Sequence, residues 1–251
     1  MEARKIIITG GATRIGAAIA KKLSGNKVEI VIHFNKSRTK AIALKKELEK
    51  NGTKIHLVKG NLNKEEDIKK IIKSSKKYLK YFDCLINNAS MFENDKLENF
   101  SSESWNKHLN INLKAPAILT REFAKNVKGK NNNVINIIDQ RVFKLTPFFF
   151  SYTLSKTGLY TFTKTSAMSL APKIRVNGIA PGPTIKNKRQ SKIHFKKQFL
   201  ATPLKQQVNV NEIANAVDFF IKTSSITGQV ISIDSGQSLN WQTPDIMRGK
   251  E

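Results

Sequence analysis

The sequence predicts an α/β fold in which a doubly wound parallel sheet of about seven strands carries helices on both faces. Short β-branched runs alternate with longer amphipathic segments along the whole chain, which is the pattern of repeated βα units. Residues 6–8 and 28–32 are apolar at nearly every position, as expected of parallel strands buried on both faces. No repeat or low-complexity linker interrupts this alternation. We therefore expect one domain over residues 1–251.

The first half of the chain contains four of the predicted strands. Strand one, residues 5–9, is β-branched and ends at Gly10-Gly11. Apolar residues then recur at helical spacing from Ile15 to Leu23, which predicts helix one. Ser37, a residue type that caps helices, precedes helix two. The other predicted elements of this half are strands at 28–34, 54–59 and 83–88 and an amphipathic helix at 64–81.

The second half continues the alternation with longer helices. Its predicted elements are helices at 105–127, 151–170 and 211–222 and strands at 133–139, 174–180 and 229–234, with a polar loop after the sixth strand. The helices at 105–127 and 151–170 carry apolar residues on more than one face, including Leu159, Phe162 and Met168. One face can pack on the sheet and another in a partner subunit.

The composition excludes several classes of protein. The single cysteine, Cys84, cannot form an intramolecular disulfide, and the chain lacks an apolar run of about 18 residues that could span a membrane. The N-terminus enters strand one too quickly to be a secretory signal. We expect a cytoplasmic protein that binds neither membrane nor metal.

The net charge of +25 has two interpretations. A basic surface can bind nucleic acid, but the lysines are spread along the whole chain, which favours a compositional bias without a nucleic-acid partner. One segment differs from the rest. Residues 183–205 carry seven cations and no acid: Lys186, Lys188, Arg189, Lys192, Lys196, Lys197 and Lys205.

The turn after strand one predicts a nucleotide-phosphate site. Residues 9–16 read Thr-Gly-Gly-Ala-Thr-Arg-Ile-Gly, and glycines here allow a tight turn whose free N–H groups receive an anion at a helix N-terminus. Strand two ends in His33-Phe34-Asn35-Lys36-Ser37-Arg38. An acid at this position would repel a ribose 2′-phosphate, whereas cations and a hydroxyl favour it. The pattern favours NADPH, although an ordinary basic loop is the alternative.

Tyr152 and Lys156 lie four residues apart on a predicted helix, so their side chains share one face. A tyrosine with a pKa of about 10 is a poor acid at neutral pH, and a nearby lysine cation can lower that pKa by roughly 1–3 units. Such a pair can donate a proton in a reduction. Taken alone, the spacing is common.

Other motifs make the Tyr152–Lys156 spacing more informative. Together with it they resemble the pattern of the short-chain dehydrogenase/reductase family over nearly the whole chain. They are residues 9–16, Asn87-Asn88-Ala89, Asn112, Tyr152 with Lys156, Pro181-Gly182, Thr227-Gly228-Gln229 and Asp234-Ser235-Gly236. The resemblance implies a Rossmann-type reductase that forms a homotetramer and covers its substrate with a loop around residues 183–210. Tyr152 would donate the proton, Lys156 would bind the nicotinamide ribose and lower the pKa of Tyr152, and Asn112 would hold a water.

Three departures from the usual family pattern occur together in the pteridine reductase branch, which includes dihydromonapterin reductases. Arg14 replaces a glycine, Ser90 replaces another, and Asp139 stands where a substrate-binding serine is usual. Phe92 matches an aromatic residue that stacks on the pterin. Lys36 stands where that branch more often has an arginine, and Asn61 where the family commonly has an aspartate that contacts the adenine.

The resemblance also assigns the site residues. The catalytic set is Asn112, Asp139, Tyr152 and Lys156. The implied cofactor contacts are Gly10, Arg14, Ile15, Gly16, His33, Asn35, Lys36, Ser37, Asn61, Leu62, Asn88, Ala89, Ser90, Lys156, Pro181, Gly182 and Thr184. The implied substrate contacts are Arg14, Ser90, Phe92, Asp139, Tyr152 and Pro183.

The chemistry of Asp139 favours a pterin or folate substrate. A carboxylate beside a ketone would oppose the alkoxide that forms on reduction, whereas beside a nitrogen heterocycle it can accept N–H bonds or share a proton with Tyr152. The expected reaction is therefore NADPH-dependent reduction of a C=N bond. The alternatives are a carbonyl reductase, such as a 3-oxoacyl thioester reductase, and a non-enzymatic NADP-binding or nucleic-acid-binding protein. The intact set of Asn112, Tyr152 and Lys156 argues against the non-enzymatic alternative.

Overall fold

Seven strands form one parallel sheet in the computed structural model, which describes residues 4–187 and 190–241. In chain order they are β1 (Arg4–Ile8), β2 (Val28–Phe34), β3 (Lys54–Lys59), β4 (Cys84–Asn87), β5 (Asn132–Ile137), β6 (Ile174–Pro181) and β7 (Val230–Ile233). Their spatial order is β3-β2-β1-β4-β5-β6-β7. The chain therefore starts in the middle, winds to one edge, and returns to build the other half. The predicted fold class is confirmed.

Eight α-helices connect the strands of the described residues. They are α1 (Arg14–Leu23), α2 (Arg38–Glu49), α3 (Glu65–Leu79), α4 (Ser102–Leu109), α5 (Ala115–Ala124), α6 (Phe150–Leu170), α7 (Lys192–Leu200) and α8 (Val210–Lys222). Short 3-10 turns lie at Gln140–Val142 and Gln237–Leu239. None of these helices is both long and apolar enough to cross a bilayer.

The core consists of two layers, one on each face of the sheet. Successive residues of a strand point to opposite faces, so Ile6 and Ile8 pack with α1, α2 and α8, while Ile7 packs with α3 and α5. All three isoleucines are fully buried. The continuous apolar run of β1 is therefore explained by helices on both faces.

The predicted helix at 105–127 differs in its bounds and regularity. It begins earlier, at Ser102, because the Ser101 side chain accepts the Ser104 N–H over 3.1 Å. A π-helical turn, Asn110–Lys114, joins α4 to α5, and α5 ends at Ala124. The predicted Ser37 cap is wrong, since its side chain makes no capping hydrogen bond to α2.

Helix α7 was not predicted and lies within the segment expected to be a polar loop. Of its residues only Phe195 is buried, so the apolar positions form no regular stripe that would have indicated a helix. Ser191 starts it by accepting the His194 N–H over 3.0 Å. The predicted covering segment around 183–210 therefore contains a helix.

Candidate active site

A cavity of about 930 Å³ opens at the carboxyl ends of the strands, where ligands bind in doubly wound sheets. Most of the predicted site residues line it: Gly10, Arg14, Ile15, His33, Asn35, Asn61, Leu62, Asn88, Ala89, Ser90, Phe92, Asp139, Tyr152, Lys156, Pro181, Gly182, Pro183 and Thr184. The remaining four predicted residues, Gly16, Lys36, Ser37 and Asn112, lie behind or beside this wall.

The glycine turn after β1 is packed against the end of β4. A Cβ at Gly16 would collide with the Gly10 carbonyl oxygen and the Asn88 side-chain amide. That amide donates to the main-chain oxygens of Thr9 over 2.9 Å and Gly10 over 3.1 Å. The lack of a side chain at Gly16 therefore allows the turn to pack tightly. The N-terminus of α1 faces the cavity.

His33, at the end of β2, supports the same turn. Its Nδ1 accepts the Gly10 N–H over 3.2 Å, and its Nε2 lies 3.1 Å from the Gly60 carbonyl oxygen. Because the Gly60 carbonyl oxygen can only accept a hydrogen bond, the proton of the neutral ring sits on Nε2. Burial lowers the pKa of His33 to about 4. The imidazole ring is therefore neutral near pH 7. Its two hydrogen bonds connect the end of β2 to the residues that follow β1 and β3.

The cations predicted to receive a 2′-phosphate line a second pocket beside the cavity. Lys36 and Arg38 face this pocket, which measures about 710 Å³, and so does Lys59, which was not predicted; Asn35 lines both spaces. No acidic side chain lines the second pocket in the described residues. The arrangement suits a negatively charged group that reaches past Asn35.

Tyr152 and Asp139 meet in the centre of the cavity wall. Tyr152 Oη donates to Asp139 Oδ2 over 2.8 Å, while Asp139 Oδ1 accepts the Arg141 main-chain N–H over 2.9 Å. Asp139 is positioned by the 3-10 turn after β5, and Tyr152 by the first turn of α6. The pair brings a proton donor and an acceptor into one hydrogen bond.

The pKa of Tyr152 is raised well above its usual value, first by burial and then by the Asp139 carboxylate. The expected lowering by Lys156 is therefore wrong for this structure. Lys156 Nζ lies 5.8 Å from the centre of the Tyr152 ring and donates to the Ile137 carbonyl oxygen over 2.8 Å. Burial lowers the pKa of Lys156 itself to about 8.

Asn112 does not line the cavity and lies behind the loop that follows β4. Its Oδ1 accepts the Met91 N–H over 2.8 Å, and its Nδ2 donates to the Met91 carbonyl over 3.0 Å and to Ser155 Oγ over 2.9 Å. Its Oδ1 also accepts from Ser90 Oγ over 3.2 Å. The amide therefore fastens this loop to α6.

An aromatic wall lies beside the Asp139–Tyr152 pair. Phe92 stacks on Phe149 with ring centres 4.4 Å apart, and meets the Tyr152 ring edge-on at 4.6 Å. The guanidinium of Arg141 lies 4.6 Å from the centre of the Phe149 ring. Phe149 and Arg141 were missed from the sequence. Arg141, two residues after Asp139, could have been found by its position, whereas no motif marks Phe149.

Arg14 connects the glycine turn to the segment after β6. It has a positive φ of 54°, a conformation that favours the glycine usual at this position. Its guanidinium donates to the carbonyl oxygens of Ile185 over 2.7 Å and Lys186 over 3.0 Å. Burial lowers the pKa of Arg14. The side chain therefore ties the glycine turn to the segment that follows β6.

The cations of residues 183–205 lie in different environments. Lys186 donates to the main-chain oxygens of Asn187 and Gln190. Four cations are exposed, namely Lys192, Lys196, Lys197 and Lys205. Lys188 and Arg189 lie outside the described residues. His194, Phe195 and Gln198 of α7 line the cavity, so the helix that carries three of these lysines forms part of the cavity wall.

Among the described residues, no group of three or more histidine, cysteine, aspartate or glutamate side chains is placed to hold a metal ion.

Comparison with known proteins extends the resemblance. The family model described as short chain dehydrogenase matches residues 4–197. The 3-oxoacyl-[acyl-carrier-protein] reductase FabG of Aquifex aeolicus is 31% identical, over 94% of this chain and 98% of that protein. The crystal structure of FolM Alternative dihydrofolate reductase 1 from Brucella canis, complexed with NADP, is 40% identical with a TM-score of 0.92 and covers 96% of both chains. The Brucella suis protein of the same name, also with NADP, has the same identity and TM-score and covers 96% of this chain and 98% of that one.

Proposed function

Because the chain belongs to the short-chain dehydrogenase family, we propose that it is an NADPH-dependent oxidoreductase that reduces a C=N bond of a pterin. The observation that carries this proposal is the hydrogen bond of 2.8 Å from Tyr152 Oη to Asp139 Oδ2 inside the cavity. It combines a proton donor with a carboxylate, where a neutral hydroxyl would suit a carbonyl substrate better.

The negative charge of the Asp139 carboxylate favours a C=N substrate over a ketone. Reduction of a ketone develops negative charge on oxygen, which Asp139 would oppose, whereas reduction of a C=N bond leaves a nitrogen that gains a proton. In the proposed step the Tyr152 hydroxyl turns from Asp139 to this nitrogen, donates its proton there and regains a proton from solvent. Asp139 also accepts N–H bonds from the ring of the substrate. Phe92, which meets the Tyr152 ring edge-on and lines the cavity, places an aromatic side chain beside the proposed position of the pterin.

The residues of the cavity fit NADPH. Gly10 and Gly16 keep the turn tight, because a Cβ at either position would press on the turn itself or on the residues after β4, and such a turn lets main-chain N–H groups approach a pyrophosphate. Lys36 and Arg38 offer cations to a 2′-phosphate. NADPH, when bound, supplies the hydride. The family resemblance gives Lys156, which is held at Ile137 near Tyr152, the role of binding the nicotinamide ribose. The two FolM structures, each in complex with NADP, support this choice of cofactor.

The names of the similar proteins divide between two substrates. FolM from two Brucella species carries the name of a dihydrofolate reductase, which supports pterin reduction. The Aquifex aeolicus relative carries the name of a 3-oxoacyl-[acyl-carrier-protein] reductase, which favours a carbonyl substrate as the second candidate. Asp139 argues for the first of these.

The direct test is the rate of NADPH oxidation with three substrates measured side by side: a dihydropterin, dihydrofolate and an acetoacetyl thioester. We expect turnover with one or both of the first two and little with the thioester. Turnover of the thioester alone would contradict the proposal of pterin reduction and would support carbonyl reduction instead.

A further inference from the structure

A cation in the turn after Asp139 has no role in the reduction described above. Arg141 lines the cavity, and its Nε is buried without a hydrogen-bond partner. A buried donor without an acceptor is destabilising. An acceptor that arrives with a ligand would therefore be bound favourably at this position.

The other cations of the cavity wall are already engaged. Arg14 donates to two main-chain oxygens of the covering segment, and Lys156 donates to the Ile137 carbonyl. Asp139 is the acidic side chain that lines the cavity among the described residues, and it accepts from Tyr152 and from the main-chain N–H of Arg141. Both carboxylate oxygens thus have partners other than the guanidinium.

The guanidinium is held in a defined position by aromatic rings. Its carbon lies 4.6 Å from the centre of the Phe149 ring and 5.7 Å from that of Phe92. Phe149 is itself fixed, because its N–H donates to Asn94 Oδ1 over 3.2 Å and its ring stacks on Phe92. An arginine held in this way is suited to bind a carboxylate through two parallel hydrogen bonds.

We propose that Arg141 is a specificity-determining residue that binds a carboxylate of the substrate's side chain. The substrate class would then be a folate-type dihydropterin, which carries an aminobenzoyl-glutamate group, in preference to a dihydropterin with an uncharged side chain. This inference rests on the proposed pterin reduction. Beyond pterin reduction, the inference specifies the class of pterin that the site prefers and assigns this preference to Arg141.

The test compares wild type, Arg141→Met and Arg141→Lys with dihydrofolate and with a dihydropterin that carries a hydroxyalkyl side chain. Arg141→Met removes the charge but keeps an unbranched chain against Phe149. We expect the KM for dihydrofolate to rise about 10- to 100-fold, from the loss of a charge-assisted contact, while the KM for the hydroxyalkyl pterin changes less than about threefold. Arg141→Lys should recover part of the loss. Lys144→Met, which removes a half-buried cation outside the cavity wall, is the matched control and should change neither KM.

Equal changes for both substrates in Arg141→Met would mean that Arg141 only supports the aromatic wall, and would overturn the inference. A wild type that reduces both pterins with the same KM would also overturn it, yet would leave pterin reduction intact. A wild type that reduces neither would instead remove the proposed function.

A second measurement needs no variant. Aminobenzoyl-glutamate should inhibit wild-type reduction of the hydroxyalkyl pterin at least about tenfold more strongly than its uncharged diamide, by the same loss of a charge-assisted contact. Equal inhibition by the two fragments would contradict a carboxylate site.

Discussion

Tyr152 Oη, in the first turn of α6, donates a hydrogen bond of 2.8 Å to Oδ2 of Asp139, which lies thirteen residues earlier, after β5. The contact has an electrostatic consequence. Burial and the neighbouring carboxylate together raise the pKa of Tyr152, so the hydroxyl keeps its proton through the neutral range. The hydroxyl is thus a weaker acid than that of a free tyrosine, so in the proposed reaction it gives its proton to the strongly basic nitrogen that hydride transfer creates.

The first prediction concerns Asp139→Ser. If the carboxylate positions Tyr152 for a ring nitrogen, this variant should lower kcat on a dihydropterin by about 100- to 10,000-fold, the range typical of general acid–base groups. The KM for NADPH should change little. Steady-state NADPH oxidation measures both, and Tyr152→Phe is the control that should abolish activity on any substrate. Full pterin activity in Asp139→Ser, or a gain on an oxoacyl thioester, would favour the carbonyl reductase.

The second prediction concerns the choice of cofactor. Lys36 faces the pocket beside Asn35 together with Arg38 and Lys59, and loss of one charge-assisted contact to a phosphate costs about 1.5–3 kcal/mol. Lys36→Ala should raise the KM for NADPH by about 10- to 100-fold and leave that for NADH nearly unchanged. Lys40→Ala, an exposed lysine of α2 that lines neither pocket, is the control. Wild-type KM values that are equal for NADPH and NADH would contradict this prediction.

The fold could be predicted because its strands are short, apolar and separated by amphipathic helices. Most of the cavity wall could also be predicted, because strand ends in a parallel sheet converge and the motif residues follow those ends. Three features could not be predicted from the sequence. The position of Phe149 depends on Asn94, fifty-five residues earlier, and α7 has one buried residue and therefore no periodic stripe. The raised pKa of Tyr152 depends on how deeply the pair is buried, which spacing alone does not indicate.

The third prediction concerns acid stability and depends on His33. Its folded-state pKa is about 4, lowered by burial from 6.5, so between these values the unfolded chain binds a proton that the folded chain does not. The free energy of unfolding therefore rises with pH across this window, and the stability is lost as the pH falls toward about 4. The shift corresponds to about 3 kcal/mol as an order of magnitude.

Denaturant unfolding of wild type and His33→Asn at several pH values between about 4 and 7 isolates this contribution. Asparagine keeps an acceptor for the Gly10 N–H but does not titrate. We expect the difference in unfolding free energy between the two proteins to shrink as the pH falls. His194→Asn, at an exposed histidine of α7, is the control and should run parallel to wild type. A constant difference between wild type and His33→Asn would show that His33 does not titrate in this window.

The fourth prediction concerns assembly, for which the family resemblance implies a homotetramer. Two apolar side chains of α6 are exposed in the single chain, Leu154 at 41% and Met168 at 74%, and such residues are common in subunit interfaces. Light scattering should give four times the mass of 28.3 kDa. A double substitution, Leu154→Lys with Met168→Lys, should lower it. Leu97→Lys, at an exposed loop residue, should leave the mass unchanged. A wild-type monomer at micromolar concentration would contradict a tetramer.

The last prediction concerns the lysines of α7. Lys192, Lys196 and Lys197 are exposed on a helix whose His194, Phe195 and Gln198 line the cavity, so these cations lie on an element of the cavity wall. Exposed cations attract an anionic substrate over a distance that salt shortens, since the Debye length falls from about 30 Å at 0.01 M to about 3 Å at 1 M. Across this range kcat/KM for dihydrofolate should fall by about tenfold, at the lower end of electrostatic steering, whereas that for an uncharged dihydropterin should change little.

Replacing the three α7 lysines by glutamine should flatten the salt dependence for dihydrofolate and leave kcat unchanged, because these side chains act before binding. The matched control replaces Lys73, Lys76 and Lys77 of α3, which are exposed but do not line the cavity, and so removes the same net charge. If position near the cavity matters, the α7 variant alone loses the slope. If both variants lose it equally, the total charge of the protein is responsible and α7 has no special part. A wild type with the same slope for charged and uncharged substrates would show that the lysines reflect composition only.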